Sequence, residues 1–258
     1  MSKINVNTWE PEGAGTAMTM GASGDTTTVP SGASLVVASG ATINITGATQ
    51  TGFPSAGFDK FTVVTASDAT FDLQSTTTKI IVEVQASGGN AASNSASGYE
   101  GGAGGAGAYA MKQLTGITGA TDKLNITIGT VAGIAASGTT TSVAQAGTAS
   151  FTTVTTTGGA GATTAGASAH GAGGAGGAAP STGDLNIAGE NGKGGGTVLS
   201  RRGPDSVLGF GGSNTLVAPG TGTGPTATGY GAGGGAGVGT SQSGGSGSAA
   251  VVIVWEYK

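Results

Sequence analysis

Gly101-Gly102-Ala103-Gly104-Gly105-Ala106-Gly107 is the stretch on which the fold turns. No side chain in it is larger than a methyl group, and the pattern returns every three residues. It is a poor helix former, because each interior glycine costs about 1 kcal/mol relative to alanine. It cannot build a hydrophobic core from its own side chains. Three residues per turn is the period of the extended polyproline-II helix, which has no internal hydrogen bonds. Every N–H and C=O must then find a partner outside the segment. Runs without bulky side chains can approach one another closely enough to supply those partners, backbone to backbone. A seven-residue run spans roughly 20 Å at about 3.1 Å per residue, enough to cross a small domain.

Similar runs recur at 158–161, 171–177, 192–196, 209–212, 220–224, 231–239 and 244–247. Of the 55 glycines in the 258 residues, nine precede Gly88 and 46 follow from it. With seven prolines and no strict three-residue period along the chain, this is not a collagen. Flexible linkers are the other reading of such runs. Strong strand signals between them favour a packed bundle.

Those signals are Phe61-Thr62-Val63-Val64-Thr65, Lys79-Ile80-Ile81-Val82-Glu83-Val84-Gln85, Lys123-Leu124-Asn125-Ile126-Thr127-Ile128, Phe151-Thr152-Thr153-Val154 and the closing stretch from Ala249 to Tyr257. The third alternates apolar and polar residues, so one face is buried. The last is apolar on both faces at its start, which suggests a central position. On it Trp255 and Tyr257 share a face with Ile253 and read as core or packing residues. Residues 1–50 are rich in Thr and Ser, with short β-branched runs such as Leu35-Val36-Val37 and Thr42-Ile43-Asn44-Ile45 between small turn residues. So thin a core buries little alone. A stem that buries its Val and Ile against two further copies of itself fits better than a meander on the main domain. The expected fold is all-β plus polyproline-II-like glycine helices: a β-rich stem over 1–55, then a β-sandwich-like domain with a glycine-rich helical bundle over 56–258.

The bulk numbers exclude several functions. The net charge of −4 offers no basic footprint for nucleic acid. There is no cysteine, hence no disulfide and no thiolate metal site. The first fifteen residues contain no apolar signal segment. The longest apolar run, 249–255, is far short of the ~20 residues of a membrane helix. G-x-G-x-x-G begins at Gly102, Gly171 and Gly229, as often as glycine content alone produces it. The single histidine, His170, has no nucleophile elbow to serve. Asp59, Asp68, Asp72, Asp184, Glu190 and Asp205 are scattered singly, so no pair is marked for glycoside cleavage. Most of them read as turn residues. No catalytic role, metal or cofactor is expected.

What remains is recognition by the segments between glycine runs. Asp184 and Asn186 lie in one, Arg201, Arg202, Asp205 and Phe210 in a second, and Asn214 and Tyr230 in a third. Arginine and aromatic residues are enriched at binding hot spots, and Arg201-Arg202 is the one adjacent cationic pair in the chain. Solvated arginines and a phenylalanine at the bundle edge are the plainer reading.

The succession of Phe61, Lys79–Val84, a glycine run, Gly107-Ala108-Tyr109-Ala110, the 124–129 strand, Thr148-Ala149-Ser150-Phe151, further glycine runs and Val251-Val252-Ile253-Val254-Trp255-Glu256-Tyr257 resembles the glycine-rich C-terminal domain of bacteriophage tail-fibre and adhesin proteins. The opening Met1-Ser2-Lys3-Ile4-Asn5-Val6-Asn7-Thr8-Trp9-Glu10-Pro11-Glu12, with Gly24–Ala33, is similar to the start of virion fibre proteins of marine phages. The chain departs in its alanine-rich runs and in having Gln85-Ala86-Ser87 where an aromatic often follows the second strand. The resemblance implies polyglycine-II bundles whose apical loops touch a host-cell receptor, protein or glycan. It implies a virion protein, made in the host cytoplasm, that joins other virion proteins through its N-terminal segment. Homotrimers are expected from the stem; nucleic acid and membrane insertion are not. Two other roles suit the composition: a head fibre or capsid decoration protein without a receptor, and an ice-binding protein presenting flat Thr/Ala faces.

Overall fold

A computed structural model describes residues 57–93, 100–147, 150–165, 169–195, 202–212, 223–237 and 242–258. All belong to one compact unit, Pro54–Lys258. The expected stem lies outside the described residues. Among them the chain is all-β, without helix: β1 (Phe58–Val64), β2 (Asp68–Asp72), β3 (Lys79–Gln85), β4 (Tyr109–Thr115), β5 (Lys123–Thr127), β6 (Thr141–Gln145), β7 (Val154–Thr156), β8 (Leu185–Ile187), β9 (Gly209–Phe210), β10 (Thr228–Gly229) and β11 (Val251–Tyr257).

Period-two alternation assembles them. One antiparallel sheet has the order β1-β11-β3-β4-β8, a second β2-β5-β6-β7, and β9 pairs with β10 in a short ribbon. Ile80, Val82 and Val84 of β3 and Val252 and Val254 of β11 meet Leu124 and Ile126 of β5, Val143 of β6 and Val154 of β7 in one buried cluster. The two larger sheets thus share a core. β11 is central, between β1 and β3, as its two apolar faces suggest.

Its two faces are used differently. The core face carries Val252, Val254 and the fully buried Glu256. The Glu256 carboxylate accepts the Gln74 N–H (2.6 Å) and the Thr77 hydroxyl (2.8 Å), with the Lys60 ammonium 3.7 Å away. Trp255 and Tyr257 therefore point to the outer face, because residues one apart in a strand face opposite ways. Trp255 packs there on Phe61 and Phe58 (ring centroids 5.3 and 5.9 Å), and Tyr257 on Phe58 (6.0 Å). Phe58 and Phe61 remain over half exposed.

The glycine runs extend from the strands. β3 and β4 pair through Gln85 and Tyr109, and the next bond, from Ala86 N–H to the Ala108 carbonyl, carries the pairing into the glycine-rich region. From there the bonding rule changes. Along 102–108, Gly102, Gly105 and Ala108 donate to Thr163, Ala160 and Thr157; Ala103 and Ala106 donate to Lys193 and Glu190; Gly104 and Gly107 donate to Gly234 and Gly231. Successive residues address three different neighbours, and every third residue returns to the same one. The carbonyls of the run accept from two more segments: from Ala86, Gly89 and Ala92 on one side, and from Gly171, Gly174 and Gly177 on another. Residues 100–108 are all buried, and the methyl groups of Ala103 and Ala106 are fully so.

Such proximity excludes side chains at defined places. A Cβ on Gly105 would lie 2.1 Å from the Ala175 carbonyl oxygen, and one on Gly104 2.0 Å from that of Gly89. The obstacles are backbone atoms, which cannot rotate aside. Gly105→Val is accordingly expected to cost about 3 kcal/mol or to prevent folding. Gly57→Ala, where an added Cβ meets nothing within 4 Å, should stay within about 0.5 kcal/mol of the parent. Urea denaturation of the two variants checks the contrast.

Candidate functional site

The loop leading into β9 is held by its own charges. Arg202 Nη2 donates to both carboxylate oxygens of Asp205 (2.6 and 2.7 Å), and Asp205 Oδ1 also accepts the Gly211 N–H (2.8 Å). The chain then turns through β9 and returns as β10, with Phe210 opposite Thr228 and Gly209 opposite Gly229. Gly229 and Gly231 have φ of +72° and +76°, a conformation glycine adopts without a Cβ penalty. The Tyr230 N–H closes the turn on the Leu208 carbonyl, and the Ser206 hydroxyl donates to the Tyr230 carbonyl.

This loop faces the run that follows β8. Arg202, Pro204 and Asp205 line a cleft of about 80 Å³ with Glu190, Asn191 and Lys193. A second lobe of about 240 Å³ is lined by Tyr109, Ile187, Glu190, Asp205, Ser206 and Val207, among others. Glu190 and Asp205 belong to both lobes, so the two carboxylates stand at their junction. Two cations, two carboxylates and an amide sit beside exposed Val207 and Ile187. That set offers hydrogen-bond donors and acceptors to a polar ligand and apolar contact at one end. Asp205 is already committed to Arg202 and Gly211, which suits it to shaping the cleft rather than to moving protons.

The floor of the larger lobe is tied to the outer sheet face. The Tyr109 hydroxyl donates to Glu83 Oε2 (2.8 Å) and the Trp255 indole N–H to Glu83 Oε1 (2.7 Å). Burial raises the Tyr109 phenol above its ordinary pKa, and the hydrogen bond and charge of Glu83 raise it further.

Of the residues singled out in the sequence, Arg202 and Asp205 come together in the cleft. Phe210 is 70% exposed on the same hairpin, outside both lobes. Tyr230 is half-buried and holds the turn through its backbone. Asp184 and Asn186 have local structural partners instead. Asp184 accepts the Gln113 N–H (2.8 Å), and Asn186 exchanges hydrogen bonds with the backbone of Gly183. They fasten β8 to the edge of β4 and are absent from the cleft lining. Arg201 and Asn214 lie outside the described residues. His170 accepts the Glu100 N–H through Nδ1 (3.1 Å), and Asp68 makes the expected turn bond to the Thr70 N–H. Sequence reading missed Glu190, Asn191 and Lys193 as cleft residues. Their signal is three polar residues in four, Glu190-Asn191-Gly192-Lys193, interrupting an otherwise small-residue run.

No protein-family model matches the chain, and no curated protein matches it.

Tyr109 yields a pH prediction. Its folded-state pKa is raised, so its contribution to stability is complete below the unfolded phenol value of about 10 and is lost as pH rises toward the folded value. Tyr109→Phe should cost about 1–3 kcal/mol at neutral pH, because Glu83 loses a donor, and should flatten the alkaline fall in stability. Urea midpoints on either side of about pH 10 test this; an equally steep fall in the variant would assign the effect to other groups.

Proposed function

We propose that this chain is a phage virion structural protein, a tail fibre or adhesin, that recognises the host-cell surface through loops on a glycine-rich scaffold. The glycine runs are read as polyglycine-II helices packed in a bundle. The observation that carries this reading is the three-directional backbone bonding of residues 102–108, with glycine where a Cβ would strike a neighbouring carbonyl. A scaffold built from main-chain bonds is rigid without needing large side chains, and so leaves the few polar and aromatic residues free for its margin. Arg202, Lys193, Glu190 and exposed Phe210 stand at such a margin. Residues 1–55 form the stem, which trimerises and docks to other virion proteins, and several copies per particle multiply a modest affinity per loop. The receptor is a polar surface molecule, protein or glycan.

Fluorescently labelled full-length protein is expected to bind susceptible host cells. Arg202→Ala combined with Phe210→Ala should weaken binding at least about tenfold while leaving the unfolding free energy within about 1 kcal/mol of the parent. Protein that binds no susceptible host yet cements purified capsids would instead be a decoration protein. Sedimentation equilibrium of the full chain should give trimers; a monomer would remove the stem from this account.

A further inference from the structure

A larger cavity, of about 560 Å³, opens between the loop after β5 and run 244–247, and shares no lining residue with the cleft above. Its size lies within the range of small-molecule sites. Its two walls are clamped together. The buried Asn90 donates through Nδ2 to the Gly133 carbonyl on one wall and accepts the Gly247 N–H through Oδ1 (2.8 Å) on the other. The loop wall is also held in an uncommon shape. Gly133 has φ +78°, and Ala135 has φ +57°, the one non-glycine residue with positive φ among the described residues. Its N–H is tied to the Ala91 carbonyl (3.2 Å). Backbone strain that the surroundings hold in place is a feature of ligand clamps.

The lining chemistry selects a ligand class. Among the described residues no ionisable side chain lines the cavity. An ionised ligand would lose water there without gaining a counter-charge. Ile128, Val131 and Ile134 supply apolar wall, with Ile134 58% exposed. Thr65, Thr130 and Ser246 also line it, and their hydroxyls make no hydrogen bond among the described residues. A purely apolar ligand would leave those hydroxyls unused. A pyranose matches both features, since it has one face of C–H groups and a rim of neutral hydroxyls. We propose that this cavity is a binding site for a neutral saccharide of one or two rings, contacted by Ile134 on its apolar face and by Thr65, Thr130 and Ser246 on its rim. The proposal concerns residues separate from the Arg202 loop and does not rest on the function proposed above.

The test is a titration of the isotope-labelled full chain with the methyl glycosides of glucose, galactose, mannose and N-acetylglucosamine, followed by amide NMR shifts. At least one neutral sugar should shift residues 129–134 and 244–247 at millimolar concentration, with no shift over 202–212. N-acetylneuraminic acid and glucuronic acid should bind at least about tenfold more weakly, for want of a counter-charge. Thr130→Val and Ser246→Ala, both at exposed positions, should each weaken the best sugar about threefold to tenfold, with unchanged unfolding midpoints. The proposal is overturned if no neutral sugar shifts the cavity, if the acidic sugars bind as well, or if both variants bind like the parent. Shifts confined to 202–212 would leave the Arg202 loop as the sugar site and remove this one.

Discussion

A backbone amide taken out of water must find a partner, and in this domain that constraint governs the glycines of the run 102–107. Sheets meet it two neighbours at a time. The run 102–108 meets it with five, donating in turn to segments around 157–163, 190–193 and 231–234 and accepting from two others. The arrangement holds only if chains approach to a distance at which a Cβ would overlap a carbonyl, as at Gly104 and Gly105. Burial here is thus achieved with little apolar surface. The hydrophobic contribution to stability comes instead from the Val, Ile and Leu cluster between the two larger sheets.

The two parts depend on each other through register. The β3–β4 pairing is fixed by alternation, since slipping it by one residue would turn Ile80, Val82 and Val84 away from the core. Ala86 to Ala108, Gly89 to Gly105 and Ala92 to Gly102 continue that alignment into a region where no side-chain pattern could set it. Gln85 and Asn90 add fixed points at the transition. Gln85 donates to the carbonyls of Ala86, Gly107 and Ala108, and Asn90 bridges Gly133 and Gly247. The apolar sandwich sets the register that the glycine-rich region inherits.

This division decides what can be read from the sequence. The β3, β5 and β11 strands are legible because alternation and β-branched residues encode them, and Gly101–Gly107 announces its need for outside partners. The face of β11 is not legible: Val252 and Ile253 are equally apolar, and the choice depends on β5 and β6 covering one side. The cleft is less legible still. Glu190 and Lys193 meet Arg202 and Asp205 because both segments gather about the run 102–108: Ala103 and Ala106 donate to Lys193 and Glu190, and Gly104 donates to Gly234, whose neighbour Gly233 donates to Pro204. The glycine runs are nearly alike in composition, so nothing in them names the neighbour each will meet. The loops between them could be nominated as exposed, but not paired. Arg202 and Asp205 were within reach because they lie three residues apart.

The three-directional bonding also limits how the chain can change length. In a sheet, an inserted residue either makes a bulge or reverses the side chains beyond it. Within 102–108, losing one residue would hand every later donor to the wrong neighbour, moving the Gly104 and Gly107 bonds from one flanking segment to another. Losing three would restore each donor to its original direction, one repeat shorter. The domain can therefore grow or shrink along its runs only in steps of three residues, matched in the neighbours. Its loops carry no such quantum and are free to vary in length one residue at a time.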